Sequence, residues 1–115
     1  MDKNENGETK VKKIAESTMV PLFRPLKLPD GRVFEELDVD VDKLNMGDLH
    51  NLEMEYAAVF PTATPTNGIF MTDAKYQALM IARINGVIYD SLKGLGAKDT
   101  WNLSNRIGRF LTVPA

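Results

Sequence analysis

Beyond a polar N-terminal stretch, the chain alternates between short apolar runs and helical stripes, with turn residues at the boundaries. Two runs, Leu22 to Leu28 and Val33 to Val41, flank Pro29-Asp30-Gly31-Arg32, where proline and glycine are placed for a tight turn. The second run alternates at its far end: Leu37, Val39 and Val41 fall on one side, Asp38, Asp40 and Asp42 on the other. That pattern predicts a half-buried antiparallel strand with a solvated acidic face. Pro25 cannot donate a ladder hydrogen bond, which assigns the first run to a sheet edge. An isolated hairpin is only marginally stable, so this one must cover an apolar surface.

Helical periodicity follows. Asn45 reads as an N-cap, with Asp48 three residues on, and Leu49, Leu52, Tyr56, Val59 and Phe60 form one stripe. Pro61 ends this helix by Val59 or Phe60, because the residue before proline disfavours α geometry. Pro61 to Gly68 is a loop by composition, and Ile69, Phe70 and Met71 form an apolar cluster after it. Asp73 to Asn85 is a second helix, apolar almost all round, capped by Thr72 or Asp73 and closed by Gly86. A short helix near Tyr89 to Lys93 leads through Gly94 and Gly96 to a last, amphipathic one, Ala97 to Leu111. Trp101, Leu103, Ile107, Phe110 and Leu111 recur along it near the helical period. The expected fold is α+β: an N-terminal β-hairpin packed on a small bundle of three main helices and one short helix.

Residues 1–18 are polar and aperiodic, with mixed charge. They predict a disordered tail before a single domain over 19–115, since such a segment buries too little surface to offset its ordering entropy. At 115 residues there is room for one core. The 14 basic and 16 acidic residues give a net charge of −2, which argues against general nucleic-acid binding. The absence of cysteine removes disulfides and thiolate metal sites. The charged start has no apolar core of a secretory signal, and no stretch approaches the about eighteen apolar residues that cross a membrane. These features predict a soluble chain with no membrane partner.

No constellation for chemistry emerges. His50 is the only histidine and lacks companions for a metal site, so a surface role is expected. Glu35, Glu36, Asp38, Asp40 and Asp42 are carboxylate-rich, but alternate acids on a strand stand about 7 Å apart, unlike a calcium loop. Asp99 suits the positive end of the last helix and has no visible base or nucleophile partner. The glycines match neither a dinucleotide nor a Walker fingerprint. The expectation is a non-enzyme with no catalytic residues, no metal and no cofactor. Apolar residues beside a Pro/Thr loop suit contact with another chain, and the candidates are Phe60, Ile69, Phe70 and Met71, then Trp101 and Phe110. Positions tucked under the hairpin for Phe60, Ile69, Phe70 and Met71, and a core or half-core position for Trp101, are the alternative.

From about Pro25 to Leu111 the order of elements resembles the tail assembly chaperones of long-tailed bacteriophages and prophages. The likeness rests on Leu26-Lys27-Leu28-Pro29-Asp30-Gly31-Arg32-Val33 at the hairpin and Met46-Gly47-Asp48-Leu49 entering the first helix. It continues with Ala82-Arg83-Ile84-Asn85-Gly86, similar to the family's Ala-Arg-x-x-Gly signature, and Leu92-Lys93-Gly94-Leu95. Ala97-Lys98-Asp99-Thr100 and Ile107-Gly108-Arg109-Phe110-Leu111 complete it. The chain departs from the family at Asp42-Lys43-Leu44-Asn45, where Arg and Pro are frequent. It departs again at Ile88 and Gly96, where Ser or Thr caps are expected, and in the longer Pro/Thr loop.

The resemblance implies sequestration of the tape measure protein, a long, helical, aggregation-prone chain, until the tail tube polymerises around it. It implies residence in the bacterial cytoplasm and absence from the mature virion. Further implied partners are a frameshifted longer form and other copies of the chain. Helix-in-groove recognition suits such a client, and reversible contacts multiplied along it suit its release. The main rival is a small DNA-binding regulator with a helix-turn-helix built from the short helix, the Gly94–Gly96 turn and the last helix, where Lys93, Lys98, Arg106 and Arg109 supply charge. Trp101, Leu103, Ile107 and Phe110 stand against it, because a groove-facing helix needs polar side chains. A structural tail or head-completion protein of the virion is the third possibility.

Overall fold

The computed structural model describes residues 18–65 and 73–112, and the expected tail lies outside them except for Thr18. The architecture is α+β. Strands β1 (Met19–Lys27) and β2 (Val33–Asp38) form an antiparallel hairpin. A 3-10 turn (Val41–Lys43) leads to α1 (Met46–Val59), α2 (Ala74–Ile84), the single-turn α3 (Tyr89–Leu92) and α4 (Ala97–Thr112).

The hairpin turn is closed by Gly31, at φ +96°, in the left-handed region that glycine adopts without strain. Arg32 N–H donates to Asp30 Oδ1 at 3.0 Å, and Leu28 N–H to the Arg32 carbonyl at 2.8 Å. Pairing runs Met19↔Asp38 to Pro21↔Glu36, then resumes at Leu26↔Phe34. Between these, Leu22, Phe23, Arg24 and Pro25 stand against Glu35 alone. Pro25 therefore sits in a bulge, where a missing donor costs no ladder bond.

β2 is shorter than its alternation predicts. It stops at Asp38, and Leu37, Asp38 and Val39 are all buried. The expectation of a continuous acidic solvent face is corrected at Asp38. Its Oδ1 accepts from Asp40 N–H at 2.9 Å, and Asp40 Oδ1 from Asp42 N–H at 3.0 Å. Aspartates bonding the backbone two residues ahead compete with strand pairing, and they turn the chain here.

The helices end where the local signals put them. Asn45 and Asp48 form a capping box, with Asp48 N–H donating to Asn45 Oδ1 at 2.8 Å and Asn45 N–H to Asp48 Oδ2 at 2.9 Å. α1 stops at Val59, with Phe60 as its C-cap before Pro61. Asp73 caps α2 by accepting from the N–H groups of Lys75 and Tyr76. Gly86, at φ +69°, closes α2: its N–H donates to the Arg83 carbonyl at 3.2 Å, and Val87 N–H to the Ala82 carbonyl at 2.9 Å. Both bonds of a Schellman motif are thus present.

α2 is the centre of the molecule, with Tyr76, Gln77, Leu79, Met80, Ile81 and Ala82 buried. One core joins these to Val20, Leu26, Leu37 and Val39 from the hairpin segment, Leu52 and Tyr56 from α1, and Leu103 and Ile107 from α4. Val59, placed on the α1 stripe by its spacing, is exposed at the last position of the helix.

Candidate functional site

Two helix ends grip the hairpin from opposite sides, and each grip is polar. At the β2 side, Asn85 accepts from Asp38 N–H at 2.9 Å and returns its amide hydrogen to the Asp38 carbonyl at 2.8 Å. The side-chain amide thus imitates a neighbouring strand at the end of β2. Asp38 also meets the Lys43 ammonium. Burial opposes ionisation of its carboxyl, but Lys43, the Thr18 hydroxyl and Asp40 N–H outweigh that and hold it below the ordinary value. Lys43 is raised in turn, chiefly by its hydrogen bond to Asp38.

At the β1 side the bulge leaves two backbone donors without ladder partners. Asp99, in the first turn of α4 and only 1% exposed, takes both. Phe23 N–H donates to its Oδ1 at 2.7 Å and Arg24 N–H to its Oδ2 at 3.1 Å. The sequence pointed to Asp99 only as a helix-dipole residue, and nothing local to it signals a partner 76 positions away.

This latch fixes an exposed aromatic pair. Phe23 is 71% exposed and Trp101 72% exposed. With Ala97, Lys98 and Asn102 they line an open depression of about 660 Å³. The Lys98 ammonium lies 5.2 Å from the Phe23 ring centroid, a cation–π distance. β1 and α4 together carry Arg24, Lys27, Lys98, Arg106 and Arg109, and their one carboxylate is the buried Asp99.

The six contact candidates do not form one patch. Phe60 is half-buried, at 5.4 Å from Tyr56 and 5.3 Å edge-on to Tyr89 by ring centroids, so it belongs to an aromatic cluster over the α1 end. Phe110 is half-buried against the core. Ile69, Phe70 and Met71 lie outside the described residues. Trp101 faces outward, off the side of α4 that Leu103 and Ile107 bury, although its spacing groups it with them. It precedes Leu103 by two residues, about 200° around a helix, so the two point apart. Sequence reasoning misses Phe23 and reaches Lys98 only as a charge of the DNA-binding alternative; Pro25, which interrupts the ladder two positions after Phe23, is the one local signal of the bulge.

A second, smaller cleft of about 200 Å³ lies between α2, α3 and α4, with Ala78, Ile81, Leu92 and Leu103 in its walls. It is below the size of ordinary small-molecule sites. Its polar feature is the Ser104 hydroxyl donating to Gln77 Oε1 at 2.7 Å. His50 is exposed on α1. Among the described residues, no three His, Asp or Glu side chains converge as metal ligands, and no helix is long and apolar enough to cross a membrane.

Comparison of the chain with protein-family models, curated proteins and solved structures finds no match.

Proposed function

We propose that this chain is a tail assembly chaperone of a long-tailed bacteriophage or prophage, which binds the tape measure protein and keeps it soluble until the tail tube forms. The observation that carries this reading is the exposed aromatic pair Phe23 and Trp101 on a rigidly latched surface. Fixed aromatics lose little conformational freedom on binding and are favoured where one chain grips another. The ordered likeness from Pro25 to Leu111 supplies the client. Within it, Asn85 and Gly86 of the Ala82-Arg83-Ile84-Asn85-Gly86 signature hold β2 and close α2, which gives the motif a structural purpose. Action in the host cytoplasm, absence from the virion, a frameshifted longer form and work without catalysis or cofactor belong to the same proposal.

Co-expression with the tape measure protein encoded nearby is the test. The expected result is a client that moves from the pellet to the supernatant and co-purifies with the chain. A client that stays insoluble at every ratio of the two proteins refutes the proposal.

DNA binding keeps a claim through one observation. Leu103 and Ile107 turn into the core, which leaves Lys98, Trp101, Asn102, Asn105 and Arg109 on the outer side of α4. That side is more polar than the sequence spacing implied, as a groove-facing helix requires. A gel shift whose retardation fades steeply between low and moderate salt favours this alternative.

A further inference from the structure

We infer that the depression between β1 and α4 is the client-binding site, and that its occupant is an amphipathic helix with carboxylates flanking its apolar stripe. The inference rests on the chaperone reading and specifies its contact chemistry.

Three observations converge. The site is apolar at its centre, where Phe23 and Trp101 present their rings to solvent over Ala97. Its one charged lining side chain is a cation, Lys98 over Phe23; the Arg24 guanidinium lies next to it against Gly96, and the sole carboxylate of these two elements is buried. It is also rigid, because both oxygens of Asp99 hold the Phe23 and Arg24 backbone to the first turn of α4. A fixed aromatic floor with a one-signed rim selects a partner carrying apolar side chains between negative charges.

The same charge pattern disfavours the simplest alternative. Two copies joined about a two-fold axis through this face would set Lys98 and Arg24 against their own counterparts. A phosphate backbone would satisfy the cations but leave little for Phe23 to contact, and the chain as a whole carries a net charge of −2.

Trp101 is the only tryptophan, so its emission reports directly on the site. The experiment titrates the full chain with two tryptophan-free synthetic helices that share one Leu/Ala stripe, flanked by Glu in one and Lys in the other. The Glu-flanked helix is expected to move the emission to the blue and to bind about ten-fold more tightly at low salt, since Lys98 and Arg24 each contribute modestly. Lys98→Glu should abolish that preference, because the new carboxylate offsets the Arg24 charge. Phe23→Ser should weaken binding with an unchanged melting curve, because the side chain is largely exposed.

Equal binding of the two helices, or emission that does not move, overturns the inference. So does a larger shift with duplex DNA, which assigns the site to nucleic acid, or a shift that grows with protein concentration alone, which assigns it to a second copy. In the co-expression assay, a Phe23→Ser, Trp101→Ser chain that still keeps the client soluble refutes this site and leaves the chaperone reading standing. A wild-type chain that leaves the client insoluble refutes the chaperone reading and this inference together.

Discussion

Side chains placed far from their partners in sequence hold the hairpin to the helices, and their removal should be costly. Asp99→Ala strands the N–H groups of Phe23 and Arg24. An unsatisfied buried donor costs about 1–3 kcal/mol, and since both bonds are only part-buried a loss of roughly 2 kcal/mol for the pair is expected in denaturant unfolding. Asn85→Ala breaks the paired bonds to the Asp38 peptide and should cost about 2 kcal/mol by the same measurement. The Asp38–Lys43 pair adds a pH dependence. The Asp38 carboxyl is lowered in the folded state, so its contribution is complete above the unfolded value of about 3.9 and disappears as pH falls through its folded value. The Lys43 ammonium is raised, so its contribution holds below about 10.4 and disappears as pH rises through its folded value. The difference in melting temperature between wild type and Lys43→Met should therefore persist from about pH 5 to 9 and close at either extreme.

At the scale of elements, what the sequence revealed was what is decided locally. Asn45 with Asp48, Asp73, Gly86 and Pro61 each act within four residues of the helix end they define, and each reads directly from the chain. Asn45→Ala should accordingly lower stability by about 1 kcal/mol through fraying of α1, seen as faster amide exchange in its first turn. The end of β2 was not legible, because three alternating aspartates read equally well as a wet strand face and as successive turn formers. The candidate site was less legible still. Trp101 fits a loose helical spacing, but its direction is set by Leu103 and Ile107, which claim the buried side of α4. Phe23 is turned outward by a bulge whose spare donors are taken by Asp99, and a pairing across 76 positions leaves no local trace.

At the scale of the molecule, a single core centred on α2 supports a surface whose aromatic and cationic groups are grouped on β1 and α4. Glu35 and Glu36 of β2, by contrast, line a separate depression with Met19, Pro21, Val33 and Phe34. A small body with one gripping surface suits a long client only if several copies occupy it, each weakly enough to be displaced in turn. Light scattering on the co-purified material as it leaves a sizing column tests this most directly. The proposal predicts one peak containing both proteins, heavier than the client by several multiples of the 12.8 kDa chain, with fewer copies retained as salt rises. Separate elution, with this chain at its own mass and the client aggregated in the void, would contradict it.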